Sequence, residues 1–257
     1  MASGGPFRAL SLDLWFTSVY HLAEDAAGWD RARVRVLREH LIRTDGARAP
    51  EAEIAAGLRA VTSRLEAAGR SSVTTDPEVI VRAVAEQLGA QVGGPSGLAA
   101  REYSAAGLRE CPPRPNPEAE AVVRKLGERG IPTVLVTNSA RRAATWSEFL
   151  VAQEGPQFRH VVSSCDLGVA KPDPAIFREA ARVLGVPTER LLHVGDRWEL
   201  DVVGALAAGC GAALYRGLWD RYPRGLYPDL PEPPKETGEV RVLDHLQSLL
   251  EPSLWRA

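Results

Sequence analysis

The chain has 257 residues, 45% of them hydrophobic, and a net charge of -2. That length can bury a sizeable core, as one large domain or a core with an inserted subdomain, and the charge gives no general electrostatic case for nucleic acid. No apolar run approaches the roughly 20 residues of a membrane helix, and the start, Met-Ala-Ser-Gly-Gly-Pro, lacks the apolar centre of a secretory signal. The expectation is a soluble, cytoplasmic protein with no membrane partner. Cys111, Cys165 and Cys210 are odd in number and widely spaced, matching neither a disulfide framework nor a metal cluster, and read as reduced packing residues.

Phe7–Leu14 reads as the first strand: Leu10, Leu12 and Leu14 alternate with small or polar neighbours, Asp13 falls at the C-terminal end, and Thr17-Ser18 closes it. From there to about Asn116 the pattern is helical throughout. Trp29–Ile42 places Val34, Leu37 and Leu41 on one stripe, with Arg31, Arg35 and Arg38 mostly on a solvated face. Glu51–Ala68 repeats the period with Ile54, Leu58, Val61 and Leu65. Asp76-Pro77-Glu78 is a cap followed by proline at the first helical position, opening a helix that Gly89 closes. After the break at Gly93–Gly97 a further helix is expected. Cys111–Pro117, with four prolines in seven residues, reads as a stiff hinge.

Beyond the hinge, helices alternate with short apolar strands. Asn116-Pro117 caps a helix ending near Gly130, and Ile131–Val136 is a buried strand ending in Thr137-Asn138. A helix over Ala140–Leu150 leads to a strand around His160–Ser163. Asp173-Pro174 starts a helix reaching Gly185, Leu191–Val194 is a strand ending in Gly195-Asp196, Leu200–Ala208 is helical and Ala212–Tyr215 is a strand. Gly217–Gly238, with its prolines and Trp219, Tyr222 and Tyr227, reads as a surface loop before a last strand and helix over 240–250. This alternation predicts an α/β fold, a doubly wound, Rossmann-like parallel sheet covered on both faces, with ligands bound at the carboxyl ends of the strands. Asp13, Thr137 and Asp196 would then meet at one edge.

Four motifs now stand in order at strand ends: Asp13-Leu14-Trp15-Phe16-Thr17, then Thr137-Asn138, then Lys171-Pro172-Asp173-Pro174, then Gly195-Asp196 with Asp201, Gly204-Ala205 and Ala208-Gly209. Each alone is weak, since Thr137-Asn138 also reads as a helix cap and Asp196 and Asp201 as partners of a helix dipole. Together the chain resembles the haloacid dehalogenase-like (HAD) superfamily of hydrolases. The resemblance implies a core domain formed by residues 1–17 and 117–257, with 18–116 inserted as a mostly helical cap. It implies that Asp13 attacks phosphorus to form an aspartyl-phosphate, and that Mg2+ is held by Asp13, Asp196, the backbone carbonyl of Trp15 and Asp201 or a shell oriented by it. Thr137, Asn138 and Lys171 would bind the phosphoryl group of a small-molecule substrate. Such a site must gather positive charge around an anion that repels a carboxylate nucleophile. Only three of the 31 basic residues are lysines, so a lysine at 171 is informative: a compact ammonium stands where arginine is the habit.

One position departs from the resemblance. Family phosphatases carry a second Asp two residues after the nucleophile, as general acid; here that residue is Trp15, which resembles a dehalogenase site. Losing a general acid costs about 10²- to 10⁴-fold. Gly195-Asp196 and Asp201 pull the other way, because carboxylate attack on carbon needs no metal. A Mg2+-dependent phosphatase therefore ranks first, a non-catalytic or regulatory HAD-like binding protein second, and a metal-independent dehalogenase-type hydrolase third. His21, Glu24 and Asp25 are candidate substitute proton donors.

Overall fold

The computed structural model describes residues 6–21, 23–69, 71–218 and 240–256, the side chains of 23–27 excepted. Its organising strand is β1, Ala9–Asp13, buried along its whole length. Phe7, expected in the same strand, instead bridges to Trp255 near the C-terminus. The elements that follow are β2 (Val19–Tyr20), α1 (Ala23–His40), β3 (Leu41–Arg43), α2 (Glu51–Ala67), α3 (Pro77–Gln87), β4 (Ala90–Val92), α4 (Ser96–Glu110) and β5 (Arg114–Pro115). Then come α5 (Pro117–Glu128), β6 (Thr133–Thr137), α6 (Ala143–Ala152), β7 (His160–Ser163), α7 (Ser164–Leu167), α8 (Pro174–Leu184), β8 (Leu191–Gly195), α9 (Gly204–Ala207), β9 (Gly211–Tyr215) and β10 (Arg241–Leu243).

Six of these strands form one parallel sheet in the order β10-β9-β8-β1-β6-β7. The chain winds outward from β1 through β6 and β7, then returns to the other side of β1 for β8, β9 and β10. The order therefore reverses at β1, so the crevice at the carboxyl ends of β1, β6 and β8 is the topological switch point where α/β sheets bind ligands. Both faces are covered. Leu10 and Leu12 pack with Val122, Val123 and Leu126 of α5 and with Leu246, Leu249 and Trp255. Ala9, Val134 and Val136 pack with Ile176, Phe177, Ala180 and Leu184 of α8. Burial on both faces is why these strands read as continuous apolar runs.

The helix boundaries follow local chemistry. Asp76, Asn116 and Asp173 each accept a hydrogen bond from the backbone N–H two residues on, at 2.8, 3.0 and 2.8 Å, with proline at the first helical position in each case. Gly185 ends α8 with a positive φ of 69°.

Between β1 and β6 the structure is less uniformly helical than the periodicity predicts. β3 pairs antiparallel with β4, and β2 with β5, so the two chain crossings, one on each side of the insertion, run side by side as a short ribbon. Pairings between residues as far apart as Leu41 and Val92, or Val19 and Pro115, leave no trace in a local helical period, and Pro115 is tolerated because it stands in a two-stranded edge. The helices of the insertion have a core of their own, including Leu37, Ile54, Val61, Ile80, Val84 and Tyr103. At the C-terminus the expected final helix is instead a pair of 3-10 turns, Leu246–Leu250 and Pro252–Leu254. The helix expected over 200–208 opens with a π-helical turn, Trp198–Val203, before α9. All but Gly217 and Leu218 of the expected loop 217–238 lies outside the described residues. Among those described, no helix is long and apolar enough to cross a membrane.

Candidate active site

Asp13 ends β1 and is followed at once by a tight turn. The amides of Ser18 and Val19 both donate to the Leu14 carbonyl, at 2.9 and 2.8 Å, the Ser18 hydroxyl donates to the Asp13 carbonyl at 2.6 Å, and Phe16 takes a φ of 54°. A non-glycine residue in the left-handed region is strained and persists only where its surroundings fix it. Here the turn points the Asp13 carboxyl across the ends of β6 and β8.

Lys171 meets it there. Its ammonium donates to Asp13 Oδ1 and, at 2.5 Å, to Asp201 Oδ1, with all three side chains buried. Asn138 fixes the backbone that carries it: Asn138 Nδ2 donates to the Lys171 carbonyl at 2.9 Å, and the Lys171 amide donates to Asn138 Oδ1 at 2.7 Å. The side chain expected to touch substrate thus clamps the Lys171 backbone, and Asn138 also lines the cavity described below. Thr137, at the end of β6, is buried, and its hydroxyl has no hydrogen-bond partner among the described residues. An unmet hydroxyl at that depth is costly unless a ligand or water supplies the partner.

Gly195 ends β8 beside Asp201; a Cβ there would collide with the Asp201 carboxyl group. Asp201 Oδ2 accepts from the Arg197 amide at 2.9 Å, and its Oδ1 also faces His193 Nε2 at 3.2 Å. Behind it, His193 Nδ1 lies 2.8 Å from Ser11 Oγ. Ser11, His193, Arg197 and Arg141 went unread in the sequence. The signal was there for the first two, since a polar residue inside a fully buried strand must find a partner. Charge patterning singles out neither arginine.

The electrostatics follow from shared burial. Burial alone would lower Lys171's basicity, but the charges of Asp13 and Asp201 outweigh it and raise the ammonium pKa above the ordinary lysine value. Burial pushes the Asp13 carboxyl up to about 6, with Lys171 pulling against the rise and Asp201 adding to it. Asp201 is buried as deeply, yet Lys171 and His193 hold it below the usual carboxylate range. Burial lowers His193, ahead of the opposing pull of Asp201, and keeps the ring neutral.

Asp13, Asp196 and Asp201 each bring a carboxylate oxygen within 4.8 Å of the others. Together with Trp15, Phe16, Asn138, Lys171, Arg197 and Leu200 they line a cavity of about 160 Å³. Three buried carboxylates against Lys171 and Arg197 leave an excess of negative charge, and oxygen donors at this spacing suit a hard divalent cation. The residues present therefore fit Mg2+.

Trp15 lines this cavity and also belongs to an aromatic cluster. Its ring packs at 5.0 Å on His21, 5.2 Å on Trp29 and 5.5 Å, edge-on, on Trp146. The same aromatic cluster holds Arg141, whose guanidinium stacks over Trp29 at 4.6 Å and Trp146 at 5.5 Å, with Nε donating to the Ser104 carbonyl at 2.8 Å. His21 is buried at the start of the insertion; the side chains of Glu24 and Asp25 lie outside those described.

Residues 97–209 match the haloacid dehalogenase-like hydrolase family, a span that includes Thr137, Lys171, Asp196 and Asp201 but not Asp13. The chain is 36% identical over 145 residues to the phosphoserine phosphatase of Thermus thermophilus, covering 55% of each, and 36% identical over 117 residues to the glyceraldehyde 3-phosphate phosphatase of Methanopyrus kandleri, covering 46% of this chain and 47% of that one. It spans about half the length of the curated relatives it matches. Among solved structures, the 2-haloacid dehalogenase of Pseudomonas syringae superposes with a TM-score of 0.61 at 18% identity over 95% of this chain and 97% of that one, and a HAD phosphatase of Thermococcus onnurineus with 0.58 at 15% over 96% and 99%. These two share the fold. The match over 97–209 takes in the ends of β6 and β8 at the switch point, and over that span the chain is similar to the haloacid dehalogenase-like hydrolases.

Proposed function

We propose that the chain is a Mg2+-dependent phosphatase of a small phosphorylated metabolite, with Asp13 as nucleophile. The observation that carries this reading is the gathering of Asp13, Asp196 and Asp201 within 4.8 Å at the switch point, an acidic site that attack on carbon does not need. The relatives named as phosphatases point the same way.

In this reading Asp13 attacks phosphorus, the bond from phosphorus to the leaving oxygen breaks, and water then hydrolyses the aspartyl-phosphate. Lys171 balances the nucleophile's charge and donates to the phosphoryl oxygens, and the Thr137 hydroxyl supplies the donor that nothing else uses. Asn138 holds the Lys171 backbone in place. Asp13, Asp196 and the Trp15 carbonyl would hold Mg2+, with Asp201 at its edge. When bound, the ion neutralises phosphoryl charge. Residues 18–116 act as a cap whose closure excludes water from Asp13.

With Trp15 packed among Trp29, Trp146 and His21, no acid stands in the usual second position, so the leaving group departs as an anion. Acetyl phosphate and p-nitrophenyl phosphate are expected to turn over, with alkyl and sugar phosphates slower by about 10²- to 10⁴-fold. Trp15→Asp narrows that gap. The test has two parts: thermal shift with Mg2+ in wild type and Asp196→Ala, and kcat/KM across leaving groups. Equal Mg2+ responses from the two proteins sink the metal assignment. Halide released from a 2-haloacid without metal, with no phosphate turned over, transfers the chain to the dehalogenase chemistry that Trp15 resembles.

A further inference from the structure

Asp201 carries more than a metal-site carboxylate would need. Its two oxygens together accept from Lys171 Nζ at 2.5 Å, from the Arg197 amide at 2.9 Å and face His193 Nε2 at 3.2 Å. Lys171 and His193 share one oxygen, Oδ1, while Lys171 also reaches Asp13. His193 and Ser11 are fully buried, they stand on neighbouring strands in direct register, and the Phe177 ring meets the imidazole edge-on at 4.8 Å.

The roles along this line follow from donor chemistry. An ionised carboxylate only accepts, so the proton of the neutral ring sits on Nε2 and points at Asp201. Nδ1 then presents its lone pair, and the Ser11 hydroxyl donates to it. We propose that His193, oriented by Ser11, is a positioning residue that holds Asp201 Oδ1 so that Lys171 is shared between Asp201 and Asp13 and stays available to a phosphoryl oxygen. Without the His193 N–H, Oδ1 has Lys171 as its sole remaining donor among the described residues. The pair then tightens and the ammonium withdraws from Asp13. The inference rests on the phosphoryl-transfer reading for its consequence, but not for its geometry.

The experiment compares wild type, His193→Phe, His193→Gln and Ser11→Ala. Phenylalanine keeps the ring shape and removes both nitrogens, whereas the Gln side-chain amide restores a donor near the position of Nε2. His193→Phe is expected to weaken inorganic phosphate binding, measured by calorimetry, and to raise KM for p-nitrophenyl phosphate, together lowering kcat/KM by about 10- to 100-fold. His193→Gln recovers most of the loss. Ser11→Ala, which touches neither Asp201 nor Lys171, gives the same signature at smaller amplitude. Nitrogen NMR of the wild-type imidazole, which needs no activity at all, is expected to show the proton on Nε2. A proton on Nδ1 overturns the inference even if the chain hydrolyses no phosphate ester, the result by which the phosphatase reading itself would fail. Equal losses in His193→Phe and His193→Gln overturn it too, since ring packing would then explain the effect. So does a His193→Phe protein that matches wild type.

Discussion

Lys171 and Arg141 are buried to nearly the same extent, 5% and 3% exposed, yet their surroundings differ in kind. Lys171 lies between two carboxylates, and its pKa is raised. Arg141 lies among the faces of Trp29 and Trp146 with one backbone carbonyl for a partner, and burial, helped by nearby Arg33, pushes its guanidinium down to about 9. A guanidinium keeps its proton at any ordinary pH, so that fall measures the cost of the buried charge rather than a titration. Burial alone thus does not decide what a cation does. At the strand ends it is compensated by two carboxylates; under the insertion it reaches from the loop after β6 to Ser104 of α4 and joins two parts of the chain.

The same substitution at both positions tests this most severely. Lys171→Met leaves Asp13 and Asp201 buried together without a cation, and is expected to cost about 3–5 kcal/mol in metal-free urea unfolding and to abolish turnover. Arg141→Met keeps an unbranched stem against the two tryptophans and deletes a charge that has no carboxylate partner among the described residues, so a change within about 1 kcal/mol is expected. Similar losses in the two variants would break the comparison.

The compensation at Lys171 is incomplete, and pH exposes this. Asp13 is raised from 3.8 to about 6 in the folded chain, so the folded state binds the extra proton between those values. Without metal, stability is therefore expected to fall as pH rises from about 4 through 6, by on the order of 3 kcal/mol relative to Asp13→Asn, which cannot titrate. Asp201 is shifted the other way and contributes stability that is lost only as pH falls below the ordinary Asp value. Unfolding curves of wild type and Asp13→Asn that run parallel from pH 4 to 6.5 would contradict the shift.

Gly195→Ala sharpens the picture from the backbone side. The added methyl meets the Asp201 carboxyl carbon, and either β8 or Asp201 has to move, at about 1–3 kcal/mol. If Asp201 moves, Lys171 follows and phosphate affinity drops with stability. Unchanged phosphate affinity would show that the strand had yielded instead.

Most of this architecture is legible in the sequence, for physical reasons. Strands buried on both faces are apolar runs, helices start at Asp-Pro or Asn-Pro, and the polar residues that stop the strands mark one edge. Asp13, Thr137 and Asp196 can therefore be read without coordinates, while Lys171 and Asp201 come only with the family resemblance. The ribbons β2–β5 and β3–β4 cannot, because pairing over long separations has no local period. Neither can the use of Asn138, whose type fits a substrate contact, a helix cap or the backbone clamp it forms on Lys171. Arg141 and Arg142 show the limit most sharply: adjacent and chemically identical, they end in opposite environments. One is enclosed by aromatic rings. The other reaches across to Asp76 at the start of α3.

That second arginine gives the smallest expected effect. Arg142 binds Asp76 through two nitrogens at 2.7–3.0 Å, but its side chain is 44% exposed and its partner's 35%. Water and salt therefore screen the pair, and its coupling is expected to be about 0.2–1 kcal/mol, fading as salt is raised toward 1 M. Asp76 also caps α3 by accepting from the Glu78 amide at 2.8 Å, so Asp76→Ala alone overstates the bridge by the value of the cap, about 1 kcal/mol. A double-mutant cycle with Arg142→Ala separates the two terms. The effect of Arg141→Met, measured beside it, is expected not to change with salt, because its surroundings exclude both water and ions. A coupling between Asp76 and Arg142 that survives high salt would place this contact with the buried network around Lys171 rather than on the surface. The insertion would then be held to the core by electrostatics as well as by the packing around Arg141.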